Sequence, residues 1–201
     1  MKIGVPKEIK LQENRIGLTP DSVKILTSNG HDVLVENNGG FEAGFYNEQY
    51  KSAGAKIIDK AEDIFNDAEI IVKVKEPLSN EVKMIRENQI IFTYLHLAAA
   101  KELTKGLIKS KAVCIAYETV TDDNGRLPLL APMSAVAGRM SIQAGAHSLE
   151  KNQKGRGLLL GGAPGVDPAN VVILGGGVVG ENAALIATGM RAKVYIVDRS
   201  E

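Results

Sequence analysis

The sequence has few of the features that mark disulfide-stabilised or nucleic-acid-binding proteins. It contains one cysteine in 201 residues, which excludes a disulfide framework within the chain. We interpret this residue, Cys114, as a small buried hydrophobe, and the low cysteine usage fits a reducing cytoplasm. Basic and acidic residues both number 24, so the formal net charge is zero. This balance argues against nucleic acid or an anionic membrane as the main partner.

Long apolar runs are also missing. No stretch approaches the ~20 residues that a bilayer-spanning helix needs. The N-terminus begins directly with the strand-like run Ile3–Pro6 and lacks the apolar core of a signal peptide. With 44% hydrophobic and 24% charged residues, the composition is that of an ordinary globular protein with no membrane partner.

Short apolar runs alternate with helix-like segments along the chain. Thr19 and Pro20 have the residue types of a helix N-cap and first helical position, and Gly30 ends that helix. The segments predicted as strands are Ile3–Pro6, Asp32–Glu36, Lys56–Ile58, Glu69–Lys75, Gln89–Leu95 and Lys111–Tyr117. The other predicted helices in this part are Asn47–Ala53, Lys60–Asn66, Asn80–Glu87 and Lys101–Ser110. Such alternation predicts an α/β fold with a parallel sheet, like that of Rossmann domains.

Pro128 and Pro132 indicate a domain boundary. Residues 1–128 are predicted to form one α/β domain, and residues 129–201 part of a second. The second part opens with a long helix, Ser134–Lys151, and continues through a glycine-rich loop. It ends in a strand–helix–strand pattern over residues 170–198, which is a single βαβ unit.

A glycine motif opens the helix of that βαβ unit. Residues 175–180 read GGGVVG, which fits G-x-G-x-x-G between an apolar strand and a helix, and the following strand ends at Asp198. This context is the dinucleotide fingerprint. Gly175 would permit the tight turn, Gly177 the approach of a pyrophosphate, and Gly180 the close packing of helix on strand. Asp198 would accept hydrogen bonds from the adenosine ribose, which favours NAD over NADP.

Three polar residues follow predicted strands of the first domain. They are Arg15, in the loop after the first strand, Lys75, the last residue of the strand Glu69–Lys75, and His96, just after the strand Gln89–Leu95. In a parallel sheet all three would lie at one edge, where ligands bind. Arg15 and Lys75 could hold a small carboxylate, and His96 could donate to a carbonyl or carry a proton. These are the groups that a 2-oxo acid needs.

Each of these residues also has a commoner role that position does not exclude. A loop arginine or lysine is usually just solvated, and a histidine after an apolar strand is more often structural. Lys73 and Lys75 share one face of the predicted strand, so the pattern does not choose between them. We interpret His31 as a strand-entry residue and His147 as a residue on a helix surface.

Several strings of the sequence resemble the alanine dehydrogenase family, in register along all 201 residues. They include IGVPKE at residues 3–8, ENRIGLTP at 13–20, VKVKEP at 72–77, TYLHLA at 93–98, IAYET at 115–119, LPLLAPMS at 127–134 and VAGR at 136–139. The resemblance implies reversible oxidative deamination of L-alanine to pyruvate and ammonia, with hydride transfer to NAD. It also implies a homohexamer.

The resemblance also implies roles for individual residues. Arg15 and Lys75 would bind the substrate, His96 and Lys75 would serve catalysis, and no metal site is expected. Residues 1–128 would thus be the substrate domain. The cofactor would be held by Met133, Ser134, Gly175, Gly177, Gly180 and Asp198.

Two departures from the family pattern affect these expectations. Ala135 stands where the family usually has glutamate, so we expect a contact at the helix start to be lost. The family also continues through the rest of the nucleotide domain, which contributes a catalytic aspartate. We therefore hypothesise a truncated or split product that does not turn over alanine by itself, which NADH production from alanine and NAD would refute.

Two alternative functions stay open at this point. The first is the NAD(H)-binding subunit of proton-translocating transhydrogenase, which shares the fold but needs no amino-acid pocket. The second is a truncated, non-catalytic assembly module. Binding of NAD(H) without a response to alanine or pyruvate would indicate the transhydrogenase subunit, and binding of neither would indicate the module.

Overall fold

The computed structural model describes residues 1–199. The chain forms two compact units, one of residues Met1–Val120 and one from Thr121 onward. The boundary lies in the irregular segment before the long helix, earlier than the residue 128 expected from the prolines. None of the helices within residues 1–199 combines the length and apolar character needed to cross a membrane.

The first unit is built on a six-stranded parallel sheet. Its strands are β1 (Lys2–Val5), β2 (Asp32–Glu36), β3 (Lys56–Ile58), β4 (Ile70–Val72), β5 (Ile90–Thr93) and β6 (Val113–Ala116). Their order across the sheet is β3-β2-β1-β4-β5-β6, and every neighbouring pair is parallel. This is the Rossmann order, in which the chain reverses its direction of winding between β1 and β4. The predicted fold class is confirmed.

Helices of the first unit connect these strands. They are α1 (Pro20–Ser28), α2 (Asn47–Ser52), α3 (Ala61–Asp67), α4 (Ser79–Val82) and α5 (Lys101–Ser110). The predicted start of α1 is confirmed, since the Thr19 hydroxyl accepts a hydrogen bond from the Ser22 N–H at 3.3 Å. Two clusters of apolar side chains form the core, one around Val5, Val23 and Val35 and the other around Phe65 and Ile91.

The second unit contains the predicted long helix and βαβ pattern. Helix α6 (Ala131–Ser148) precedes β7 (Asn170–Leu174), α7 (Val178–Gly189) and β8 (Lys193–Val197). Strands β7 and β8 pair in parallel as a two-stranded sheet. Ile142, Ile173 and Ala187 belong to the core of this unit, whereas Val172 and Leu174 on β7 are exposed.

Three predicted secondary-structure elements and the predicted burial of one residue differ from the structure. The strand predicted over Glu69–Lys75 ends at Val72. The helix predicted over Asn80–Glu87 is the single turn α4, because Arg86 and Gln89 turn inwards to donate hydrogen bonds to the carbonyls of Phe65 and Ala68. The long helix begins at Ala131 rather than Ser134, since a proline in the first turn lacks only an N–H that has no partner there. Cys114 is half-buried, because it lies on the edge strand β6.

Candidate functional sites

Arg15, Lys75 and His96 follow three neighbouring strands of the first unit. Arg15 lies in the segment after β1, Lys75 follows β4, and His96 follows β5. Because β1, β4 and β5 are adjacent and parallel, their carboxyl ends meet at one edge of the sheet, beside the switch point. The structure therefore brings the three residues to the same edge, although they are distant in sequence.

Arg15 is held by a carboxylate two residues away. Its Nε donates to Glu13 Oε1 at 2.7 Å, and its Nη2 donates to Glu13 Oε2 at 2.5 Å. This two-point contact raises the pKa of Arg15 and lowers the pKa of Glu13. The positive charge of Lys75 also lowers the pKa of Glu13, so the Lys75 ammonium lies near the Arg15–Glu13 pair.

Gly17 carries this segment across the end of β4. A Cβ at this position would lie 2.5 Å from the Val72 carbonyl oxygen, closer than any side-chain carbon can approach. The missing side chain lets the backbone after Arg15 run directly over the last residue of β4. Arg15 and the chain leading to Lys75 are thereby kept together.

Lys73 and Lys75 have different surroundings. The Lys73 ammonium is buried, with 1% of its side chain exposed, and contacts Glu8 Oε2 at 3.1 Å and Glu81 Oε1 at 2.8 Å. Lys75 is only half-buried, and its ammonium forms no hydrogen bond or ion pair with any side chain of residues 1–199. Lys73 is thus fully engaged inside the protein, whereas Lys75 has its ammonium available for a ligand.

His96 has an unusual backbone conformation. Its φ of 50° and ψ of 39° lie in the left-handed region, which non-glycine residues rarely adopt. Its exposed ring stacks on Tyr94, with the ring centroids 5.9 Å apart and the planes at 10°. The charge of Arg15 lowers the pKa of Tyr94, although burial raises it overall. Tyr94 therefore lies near both Arg15 and His96.

Glu118 fixes this conformation of His96. Its carboxylate accepts hydrogen bonds from the N–H groups of His96 at 2.7 Å and Leu95 at 3.0 Å. Burial raises the pKa of Glu118, but these N–H groups outweigh it and leave the pKa lowered. Glu118 comes from the end of β6, so the neighbouring strand supplies the group that orients the end of β5.

Sequence reasoning gave Glu8, Glu13, Tyr94 and Glu118 no role, although all four lie in the strings that carry the family resemblance. The available signal was their position. Glu8 and Glu118 lie within three residues of the ends of β1 and β6, where a carboxylate can satisfy backbone N–H groups that have no strand partner.

In the second unit, the glycines adopt the geometry of the fingerprint. Gly175 has a φ of 97°, in the region that favours glycine. A Cβ at Gly180 would lie 1.9 Å from the Gly175 carbonyl oxygen, so only glycine lets α7 pack this closely on the turn. A Cβ at Gly177 would meet nothing within 4 Å, so this side of the turn is open.

A cleft of about 1190 Å³ lies beside this turn, and Gly175, Gly177 and Ser134 contribute to its lining. Met133, in the same first turn of α6, is half-buried and is not among the lining residues. Asp198 Oδ2 accepts a hydrogen bond from the Gly176 N–H at 2.5 Å, which places the carboxylate at the glycine turn. The structure brings Ser134, Asp198 and the three glycines together.

These residues fit a dinucleotide. The N-terminus of the 12-residue helix α7 follows the open turn at Gly177, and a helix N-terminus favours phosphate through its N–H groups and dipole. Asp198 supplies an acceptor of the kind that a ribose needs.

A sheet in Rossmann order with cationic groups at its switch edge, followed by a βαβ unit with a dinucleotide fingerprint, defines a class of protein. The chain is built like the Rossmann-type oxidoreductases. More narrowly, it belongs to the alanine dehydrogenase/PNT family. The N-terminal domain of that family matches residues 4–137, and its C-terminal domain matches residues 141–201. The family resemblance seen in the sequence is confirmed.

Individual relatives agree with this assignment. Alanine dehydrogenase of Halomonas elongata is 56% identical over 200 residues, which cover 100% of this chain and 54% of the relative. A solved structure of L-alanine dehydrogenase is 54% identical and superposes with a TM-score of 0.91, over 100% of this chain and 55% of its own. Transhydrogenase from Sinorhizobium meliloti is 24% identical, with a TM-score of 0.81 over 100% of this chain and 57% of its own, and shares the fold. The chain spans about half the length of the curated relatives it matches.

Proposed function

We propose that this chain carries the substrate site and part of the NAD site of an L-alanine dehydrogenase, which converts L-alanine reversibly to pyruvate and ammonia. The observation that carries the proposal is the meeting of Arg15, Lys75 and His96 at the ends of three adjacent strands. Relatives named alanine dehydrogenase, more than 50% identical over the whole chain, support it.

Each of the three residues has a chemical role in this proposal. The Arg15 guanidinium, oriented by Glu13, binds the substrate carboxylate. The Lys75 ammonium neutralises the same carboxylate and polarises the neighbouring carbonyl of pyruvate. The exposed His96 ring donates a hydrogen bond to that carbonyl and moves the proton as carbonyl and amine interconvert.

The cofactor in this proposal is NAD. Gly175, Gly177 and Gly180 would hold its pyrophosphate at the start of α7, and Asp198 would bind the adenosine ribose. Met133 and Ser134 would lie beside the cofactor. When bound, NAD would supply the acceptor for the hydride from Cα of alanine. The carboxylate of Asp198 would repel a 2′-phosphate, which favours NAD over NADP.

Pyruvate titration of the 201-residue chain tests the substrate site. We expect chemical-shift changes at the amides of Arg15, Lys75 and His96, and weaker pyruvate binding in Lys75→Met and His96→Gln. Lys24→Met and His31→Gln are matched controls away from the site and should bind pyruvate as the wild type does. Equal effects in the control variants, or no binding by the wild type, would refute the substrate site.

NADH titration, followed by fluorescence, tests the cofactor site independently. Binding that is lost in Gly177→Val and retained in the wild type supports the proposal. If NADH binds but neither pyruvate nor alanine causes any change, the chain acts like the nucleotide-binding subunit of a transhydrogenase. NADH formation from L-alanine and NAD measures turnover directly.

We also propose a cytoplasmic homo-oligomer, a homohexamer as the family resemblance implies. The exposed apolar side chains of Val136 and Met140 on the long helix α6 support a subunit contact there. Light scattering of the wild type and of Met140→Ser tests this point, and a wild-type mass equal to that of one chain would contradict it.

A further inference from the structure

The segment of residues 73–75, which carries Lys75, has no neighbouring strand on the side of β1. Strands β1 and β4 pair only at Ile3–Ile70 and Gly4–Ile71, so no strand accepts from the N–H groups of Val74 and Lys75 on that side. An unpaired buried N–H group is unfavourable, because it has lost its hydrogen bond to water without gaining another. Something else must accept from this pair of donors.

A single buried carboxylate fills that place. Glu8 Oε1 accepts hydrogen bonds from the N–H of Val74 at 2.6 Å and from the N–H of Lys75 at 3.2 Å. Its other oxygen, Oε2, contacts the Lys73 ammonium at 3.1 Å. Glu8 thus binds three consecutive residues, Lys73, Val74 and Lys75, although only 2% of its side chain is exposed.

The opposite side of the segment is held by β5. The Lys73 N–H donates to the Phe92 carbonyl at 3.1 Å, and the Thr93 hydroxyl donates to the Lys75 carbonyl at 3.0 Å. With Glu8 on one side and β5 on the other, the backbone of Lys75 is fixed at both its N–H and its C=O. The direction in which its side chain leaves the backbone is therefore fixed as well.

We propose that Glu8 is a positioning residue, which aims the Lys75 ammonium at the substrate carboxylate by holding the backbone of residues 73–75. This inference rests on the proposed substrate role of Lys75. Glu8 itself does not contact the substrate, and it acts through the two N–H groups.

Glu81 provides a matched control within the same cluster. It is equally buried, with its Oε1 2.8 Å from the same Lys73 ammonium. Its Oε2 also accepts a backbone hydrogen bond, but from Leu78 at the start of α4 rather than from the segment of Lys75. Shortening either glutamate to aspartate keeps the charge and retracts the carboxylate by one methylene group. Only Glu8→Asp withdraws it from Val74 and Lys75.

The test compares Glu8→Asp with Glu81→Asp in the 201-residue chain. We expect Glu8→Asp to weaken pyruvate binding about tenfold, since a displaced cation loses its alignment, and to raise amide exchange at Val74 and Lys75 about tenfold. Glu81→Asp should leave the pyruvate affinity and the amide exchange of Val74 and Lys75 within about twofold of the wild type. We expect this difference between the two variants even if their melting temperatures are equal. Equal effects of the two variants on pyruvate binding or on these amides would overturn the proposal.

Amide exchange also separates this inference from the proposed function. If the wild type does not bind pyruvate, the proposed substrate role of Lys75 fails, whereas the amide exchange of Val74 and Lys75 still shows whether Glu8 holds this backbone. If the wild type binds pyruvate and Glu8→Asp binds it equally well, only the positioning role of Glu8 fails. If Glu8→Asp does not fold, Glu8→Gln is the variant to test, because its amide oxygen can still accept hydrogen bonds from the N–H groups of Val74 and Lys75. If the Val74 and Lys75 amides of that variant stay protected from exchange and its pyruvate affinity equals that of the wild type, the proposal is supported. Loss of this protection would overturn it, because Glu8 would then serve mainly to neutralise the charge of Lys73.

Discussion

The carboxylate of Glu118 accepts a hydrogen bond from the His96 N–H at 2.7 Å and holds this residue in the left-handed conformation, with a φ of 50°. Such backbone strain in a residue other than glycine costs of order 1–3 kcal/mol and is found preferentially at functional sites. The neighbouring edge strand thus supplies the group that offsets this strain at His96.

Substitutions of His96 separate its backbone from its ring. His96→Asn should keep the stability within about 0.5 kcal/mol, because asparagine tolerates the left-handed region. His96→Val should cost a further ~1–2 kcal/mol, because a β-branched side chain does not. Urea unfolding measures the difference, and equal stability of the two variants would contradict the strain at this position. Neither variant should support proton transfer at this position, because both lack the imidazole ring.

Acid unfolding should depend on Glu118 with a definite sign. Its pKa in the folded protein lies below the ordinary value of 4.5. The stabilisation it provides is therefore present above pH 4.5 and is lost as the pH falls through the folded pKa. The stability difference between wild type and Glu118→Gln should shrink as the pH drops below 4.5. A difference that is constant across this range would contradict the prediction.

Glu36 should behave in the opposite way. Burial raises its pKa above 4.5, so the folded state is penalised as the pH rises through the window from 4.5 to that raised value. Glu36→Gln should therefore gain stability relative to the wild type across this window and keep the gain at neutral pH. Its amide oxygen can still accept from the Lys7 N–H, which now donates to Glu36 at 2.8 Å. Chemical unfolding at several pH values measures the effect of both carboxylates on stability. A stability gain of Glu36→Gln that falls with rising pH would contradict this prediction.

Two helical glycines of the second unit should respond differently to alanine. A Cβ at Gly180 would overlap the Gly175 carbonyl oxygen, whereas a Cβ at Gly145 in α6 would meet nothing within 4 Å. Gly145→Ala should stabilise the protein by about 0.5–1 kcal/mol through helix propensity. Gly180→Ala should destabilise it and weaken NADH binding by forcing the glycine turn apart. Thermal unfolding and NADH fluorescence test both, and a neutral Gly180→Ala would contradict the observed packing.

Arg15→Lys should weaken pyruvate binding although it keeps the charge. Lysine cannot form the two parallel hydrogen bonds that a guanidinium makes to a carboxylate, and we expect a loss of about tenfold, or ~1.4 kcal/mol. Arg156→Lys, at an exposed position of the second unit, is the matched control. Unchanged pyruvate affinity in Arg15→Lys would show that only charge matters at this position.

Much of the fold could be predicted from local patterns. Helix α5 has the predicted bounds Lys101–Ser110, and β2 the predicted bounds Asp32–Glu36. The failures fall where distant side chains bond to the backbone. Residues 73–75 continue the β-branched pattern of β4, yet Glu8 accepts from two of their N–H groups in place of a strand. The predicted Asn80–Glu87 helix ends early because Arg86 and Gln89 cap distant carbonyls.

For the candidate sites, local spacing along the sequence was enough to predict which residue types lie at the end of each strand and where the glycine turn lies. The burial of Lys73 between two carboxylates, the half-burial of Lys75 and the contact of Glu118 with His96 became visible only in the folded chain. These distinctions depend on hydrogen bonds and ion pairs between groups 8 to 67 residues apart. A periodic pattern does not encode such contacts, since they form only when the sheet order brings β1, β4, β5 and β6 side by side.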